Sequence, residues 1–173
     1  MSNCGAEVLL TPRLRLLPCD AVVARAAVDA PETLPSLLGL RVDPEWPSED
    51  LVEVLPGYAD ALELRPALLR WGLYLVLDRG GRRLVGDAGF KGPPDEAGAV
   101  EIGYGIVSAF RGRGYATEAV RALVEHARHQ PSVREIVATC YASNAGSRRV
   151  LEKSGFRHVH TDGALLDWSI VVR

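Results

Sequence analysis

The stretch that decides the fold is "EIGYGIVSAFRGRGYATEAVRALVEHARHQP", Glu101 to Pro131. Glu101 to Val107 reads as a strand, "RGRGYA" (Arg111 to Ala116) breaks it, and an amphipathic helix follows. In that helix Ala116, Ala119, Val120, Leu123, Val124 and Ala127 recur at i, i+3, i+4, while Glu118, Arg121, Glu125 and Arg128 fall outside the stripe. His126, Arg128 and His129 suit the negative end of the helix dipole, and Pro131 ends the pattern. A strand that stops in glycines and opens a helix builds an anion site. The first helical amides have no intrahelical partner, the dipole adds roughly half a positive charge, and glycines let oxygens approach the backbone. Arg111 and Arg113 add cationic donors, so a diphosphate is the expected guest.

Two common diphosphate motifs fit poorly. The phosphate loop of nucleoside triphosphatases needs Gly-Lys-Ser/Thr, and "GRGYAT" has no lysine. The dinucleotide fingerprint needs G-x-G-x-x-G early in a parallel βαβ unit; this loop is G-x-G-x-A and follows an antiparallel meander. An Arg/Gly loop for RNA lacks interleaved aromatics, and a net charge of −2 argues against a nucleic-acid partner.

Outward from the loop, the 173 residues suit one domain, 47% apolar and 24% charged, in the range of a globular enzyme. No apolar run approaches the roughly 20 residues needed to span a bilayer, so no membrane partner is expected. Cys4, Cys19 and Cys140 have no pairing pattern and, with no signal peptide evident, read as reduced thiols of a cytoplasmic protein. "LRLLP" (Leu14 to Pro18) predicts a strand, and Asp20 caps a helix through "AVVARAAVDA". Prolines 31, 35, 44, 47, 56 and 66 exclude long helices between them, leaving a short helix from Ser48 to Leu55. Trp71 to Asp78, Arg83 to Gly92 and Glu101 to Val107 predict an antiparallel meander, with Gly80-Gly81 as its first turn. Arg134 to Tyr141 reads as a buried strand, Asn144 caps a helix through Ser154, and Gly155 stops it. "RHVHT" and "LDWSIVV" close the chain as strands, giving an α+β domain on a mixed sheet.

"RGRGYA" resembles the R/Q-x-x-G-x-G/A loop of the GNAT acetyltransferase superfamily, and "NAGSRRVLEKSGF" (Asn144 to Phe156) resembles its second segment. "LLTPRLRLLP" and "VEIGYGI" look like the branch of ribosomal-protein N-terminal alanine acetyltransferases, which also holds enzymes for small amines. The resemblance runs from about Thr11 to the C-terminus. It implies a mixed, mostly antiparallel twisted sheet flanked by helices, and acetyl-CoA as cosubstrate. It also implies that the amides of Gly112, Arg113, Gly114, Tyr115, Ala116 and Thr117 hold the pyrophosphate, with Arg111 and Arg113 on the phosphates. Ile106 and Val107 would hydrogen-bond the pantetheine arm, and Asn144 would contact the coenzyme. In several branches a tyrosine seven residues after that asparagine protonates the thiolate; here the position is Leu151. Tyr104 and Tyr141 are the available substitutes, unless water serves.

Glu101 is the only carboxylate of its strand, and alternation puts it on one face with Gly103 and Gly105. It is the candidate general base for an amine acceptor; a strand-end salt bridge is the structural alternative. Cys140 has no partner that would make it a nucleophile. The histidines show no metal-ligand spacing, so no metal is expected. The expected activity is therefore direct N-acetylation, in a ternary complex, of a protein N-terminus or a small-molecule amine. Monomer and homodimer are both open. The rival reading is a non-catalytic acyl-CoA-binding module. "PETLPSLLG" through Trp71, with Trp46 and Tyr58, is expected to shape the acceptor pocket.

Overall fold

The computed structural model describes residues 6–80 and 82–172, so Cys4 and Gly81 lie outside the described residues. Strands β1 (Leu9–Leu10), β2 (Leu14–Pro18), β4 (Leu73–Asp78), β5 (Arg83–Phe90) and β6 (Ala99–Ile106) form the first half of the sheet. Strands β7 (Glu135–Tyr141), β9 (Leu165–Val171) and β8 (Arg157–Asp162) form the second. The order is β1-β2-β4-β5-β6-β7-β9-β8, and the two-residue β3 (Arg41–Val42) runs parallel to β5. Every pairing along the path is antiparallel except β6 with β7. The expected mixed, mostly antiparallel sheet is observed, and the β4-β5-β6 meander with it.

Helix α4 (Tyr115–Arg128) crosses between the halves. Its stripe is inside as the periodicity demands: Ala119, Val120, Leu123, Val124 and Ala127 are buried. Burying the Leu and two Val side chains contributes about 1.5–3 kcal/mol each, so packing anchors this helix. Helix α1 (Ala21–Asp29) begins where Asp20 accepts from the Val23 N–H at 2.9 Å. Helix α5 (Ala145–Lys153) begins at Asn144 and ends before Gly155, whose φ of 92° suits a residue without a Cβ.

Three expectations fail. After the short α2 (Leu34–Leu38), the region of prolines holds a 16-residue helix, α3 (Glu49–Leu64), with Pro56 inside it. Ser48 caps it as expected, but the helix runs on past Leu55. An internal proline costs about 3 kcal/mol. Leu55, Ala59 and Leu62 are buried on α3, and Arg25 of α1 bonds both Asp60 and Glu63, which together outweigh that cost. Trp71 belongs to a 3-10 turn (Pro66–Trp71), not to β4. Strand β7 is not buried throughout: Ile136 and Ala138 are inside, whereas Tyr141 is 61% exposed. Among the described residues, no helix is long and apolar enough to cross a membrane.

A polar clasp fixes the start of the chain to α4. Glu118 accepts from the Thr11 hydroxyl at 2.5 Å, the Arg13 N–H at 2.9 Å and Arg13 Nε at 2.7 Å. Burial opposes its ionisation, but those bonds and the Arg13 charge prevail and hold the carboxyl below its usual range. A depressed carboxyl pKa adds stability above its unfolded value, about 4.3 for Glu, and loses it as pH falls through the folded value. Glu118→Gln should therefore be less stable than the wild type at pH 7 by about 1–3 kcal/mol, with the gap closing below about pH 4. Urea melts at several pH values measure this; a gap independent of pH would show that the clasp owes nothing to its charge.

Candidate active site

Strands β6 and β7 pair only at Ala99–Glu135, Val100–Ile136 and Glu101–Val137. Beyond Glu101 they part, although β7 stays paired with β9 through to Tyr141. The gap is bordered by β6, the 111–114 loop, the start of α4 and α5, and it forms a cavity of about 600 Å³. Main-chain alternation decides what faces it. Lys91 N–H donates to the Glu101 carbonyl and Val107 N–H to the Val85 carbonyl. Glu101, Gly103, Gly105 and Val107 thus direct their peptide groups to β5, while those of Tyr104 and Ile106 turn to the gap.

At the mouth stands an unsatisfied helix start. Side chains cap α1, α3 and α5, but none caps α4. Gly112 (φ 73°) and Gly114 (φ 80°) are left-handed, which turns the chain sharply into α4 and leaves its first amides open. Gly112, Gly114, Tyr115, Ala116 and Thr117 all border the cavity. Arg111 borders it too, with its Nε donating to the Ile106 carbonyl at 2.8 Å. Nearby, Glu45 accepts from the Ser108 N–H at 2.7 Å. That bond and the Arg111 charge hold the Glu45 carboxyl below its usual range. From α5, Arg149 and Lys153 add two cations that the sequence reading had not singled out. Their spacing of four on one helix was the available signal.

Asn144 lies at the same border, its side chain accepting from the Ser147 N–H at 3.0 Å. Tyr104 donates to the Ser147 carbonyl at 3.1 Å, and burial pushes its phenol up to about 12, so it is neutral. Leu151 is in the core and Tyr141 is exposed, so of the two tyrosines weighed as substitutes Tyr104 is the one that borders the cavity, alongside the hydroxyls of Tyr115, Thr117 and Ser147.

Three candidates are elsewhere. Val107 is buried and bonded to β5, so of the two residues read as holding a ligand arm only Ile106 reaches the gap. Arg113 is exposed, its guanidinium over the Phe110 ring at 5.1 Å and its carbonyl accepting from Arg13. Glu101 is not on the cavity; its carboxylate pairs with Lys91. Of the aromatics expected around an acceptor, Trp46 donates to Asp87 at 3.0 Å and Tyr58 bridges Cys19 and Leu73. Trp71 instead packs edge-on against Phe90, whose ring meets His126 of α4.

The Acetyltransferase (GNAT) domain family matches residues 30–157 of this sequence. The chain belongs to the GNAT acetyltransferase family. It is 31% identical over 166 residues to the uncharacterized N-acetyltransferase YjdG of Bacillus subtilis (strain 168), covering 96% of this chain and 99% of that protein. An acetyltransferase structure from Bacillus anthracis superposes with a TM-score of 0.66 at 20% identity, covering 96% of this chain and 99% of the other. RimL, a ribosomal L7/L12 alpha-N-protein acetyltransferase solved with coenzyme A, gives 0.67 at 19% identity, covering 95% and 98%. Those two likenesses concern the fold; the family match assigns this GNAT chain to the N-acetyltransferases.

The cap at Asn144 is separable from any ligand. Asn144→Ala should cost about 1 kcal/mol of stability, while Asn144→Asp, which can still accept from Ser147, should recover it. Denaturant titration of both variants distinguishes a cap from a residue whose side chain is irrelevant to folding.

Proposed function

We propose that this GNAT enzyme binds acetyl-CoA in the β6–β7 gap and transfers its acetyl group directly to a primary amine. The observation that carries the reading is the uncapped, glycine-led start of α4 at the mouth of the cavity. A coenzyme diphosphate would satisfy those amides and meet Arg111, while Arg149 and Lys153 supply further charge for its phosphates. Arg113, being exposed, is proposed to act through its main chain. The pantetheine arm would run along Tyr104 and Ile106, whose peptide groups face the gap, the Ile106 carbonyl being already bonded by Arg111.

The amine would approach the other side of β6, where Gly103 and Gly105 present no side chains. Two carboxylates, Glu101 and Asp87, lie on that face, and either is chemically able to take a proton from an ammonium. Tyr104, which borders the cavity, would protonate the departing thiolate by giving up its bond to the Ser147 carbonyl. RimL acts on the N-terminus of a ribosomal protein. A protein N-terminus therefore stands beside small amines as the acceptor class proposed here.

Acetyl-CoA at 100 times its Kd should stabilise the fold by about 2.7 kcal/mol, with a raised melting temperature, and NAD and ATP should not. Gly114→Asp puts a side chain and a negative charge at the open amides and should abolish this shift. Wild-type affinity for acetyl-CoA in that variant, by calorimetry, would remove the loop from the binding site. Thiol release from acetyl-CoA with a panel of amines tests the transfer itself; binding without release would favour an acyl-CoA-binding module.

A further inference from the structure

The face of the sheet opposite the cavity carries a carboxylate in an unusual setting. Asp87 of β5 pairs with Gly105 of β6, and Gly89 with Gly103. A Cβ at Gly105 would stand only 3.8 and 3.9 Å from the two Asp87 oxygens, so any side chain there would cover the carboxylate. At Gly103 a Cβ would meet only Lys91 Cε, at 3.5 Å. Asp87 is partly buried, and on its β6 side the exposed Gly105 puts no side chain over the carboxylate. Gly105 also borders the cavity, so at this point only one strand separates the carboxylate from the gap.

Glu101 is differently placed. It lies four residues back along β6, roughly 13 Å at the usual strand rise, and its carboxylate is engaged by Lys91. Among the described residues no cation pairs with Asp87 in this way; it accepts from the Trp46 indole N–H at 3.0 Å. The buried Cys19 thiol, just past the end of β2, lies near Asp87, and Asp20 at the start of α1 lies near that thiol. The thiol is pushed up by burial first and by these two acids second, so it stays neutral.

Building on the acetyl-transfer reading above, we propose that Asp87, through its carboxylate over Gly105, accepts the proton of the acceptor ammonium, and that Glu101 does not. The ammonium R–NH₃⁺ passes one proton to Asp87, and the free amine attacks the thioester carbonyl. The C–S bond breaks, the second nitrogen proton leaves with the thiolate as CoA–SH, and the amide R–NH–CO–CH₃ is formed. Asp87 then releases its proton to water. Burial pushes the Asp87 carboxyl up to about 7, against the opposing effect of the Trp46 bond, which matches it to proton uptake near neutral pH.

The test uses the full chain with acetyl-CoA and aliphatic amines, whose own pKa near that of lysine, about 10.4, lies well above the limb assigned to Asp87. Asp87→Asn keeps an acceptor for Trp46 and nearly the same shape. It should keep wild-type acetyl-CoA affinity by calorimetry and lose about 10²- to 10⁴-fold in kcat/KM at pH 7. The wild-type rise of kcat/KM through a pKa near 7 should vanish in Asp87→Asn and persist in Glu101→Gln. Near-normal turnover of Asp87→Asn, retention of its limb near 7, or loss of that limb in Glu101→Gln would each overturn the proposal. A wild type that releases no thiol with any amine overturns instead the acetyl-transfer reading on which it rests, and the proposal falls with it.

Discussion

Three bridges between β6 and β7, from Ala99–Glu135 to Glu101–Val137, hold the two halves of the sheet together, and the site depends on their ending there. Had the pairing continued, the main-chain groups of Tyr104 and Ile106 would be consumed by a neighbouring strand and no cavity would exist. Because β7 is paired with β9 along its whole length, its divergence from β6 does not leave it unsupported. Helix α4 packs its apolar stripe beneath the sheet and brings its N-terminus to the place where the strands part. An opening and an unsatisfied set of donors therefore coincide.

That coincidence is maintained from several directions. The Glu118 clasp to Thr11 and Arg13 fixes the first turn of α4 against the start of the chain. Arg111 reaches back to the Ile106 carbonyl, so the end of β6 and the loop hold one another. Asn144 caps α5 at the far border, and Tyr104 bonds the same turn through the Ser147 carbonyl. Each contact holds in place a segment that borders the cavity, and the Arg111 bond also satisfies the Ile106 carbonyl that the opening would otherwise leave without a partner.

The opposite face is organised by a different principle. Trp46, buried and bonded to Asp87, comes from the segment between β3 and α3. Helices α1 and α3 pack together through Arg25 and the apolar face of α3. Polar and apolar groups share this face, and glycines at 103 and 105 keep part of it open. The acceptor site and the coenzyme site proposed above would thus occupy two sides of one strand without competing for its atoms.

The sequence alone determined what depends on local chemistry. The α4 stripe, the Asp20, Ser48 and Asn144 caps, the Gly155 stop and the uncapped, glycine-led start of α4 at Gly112 and Gly114 are all written within a few residues of where they act. Periodicity and capping operate over one or two turns, so they survive in a linear string. The tertiary structure decided what depends on register and on sums of distant contacts. Pro56 stands inside α3 because burial against α1, invisible from the proline spacing, exceeds the local cost. Val107 turned from gap to sheet, and Glu101 met Lys91, because strand pairing assigns each peptide group and each face. Asp87 reads in "RLVGDAGF" as one more strand acid. Only its pairing with Gly105, and an indole contributed from 41 residues away, set it apart.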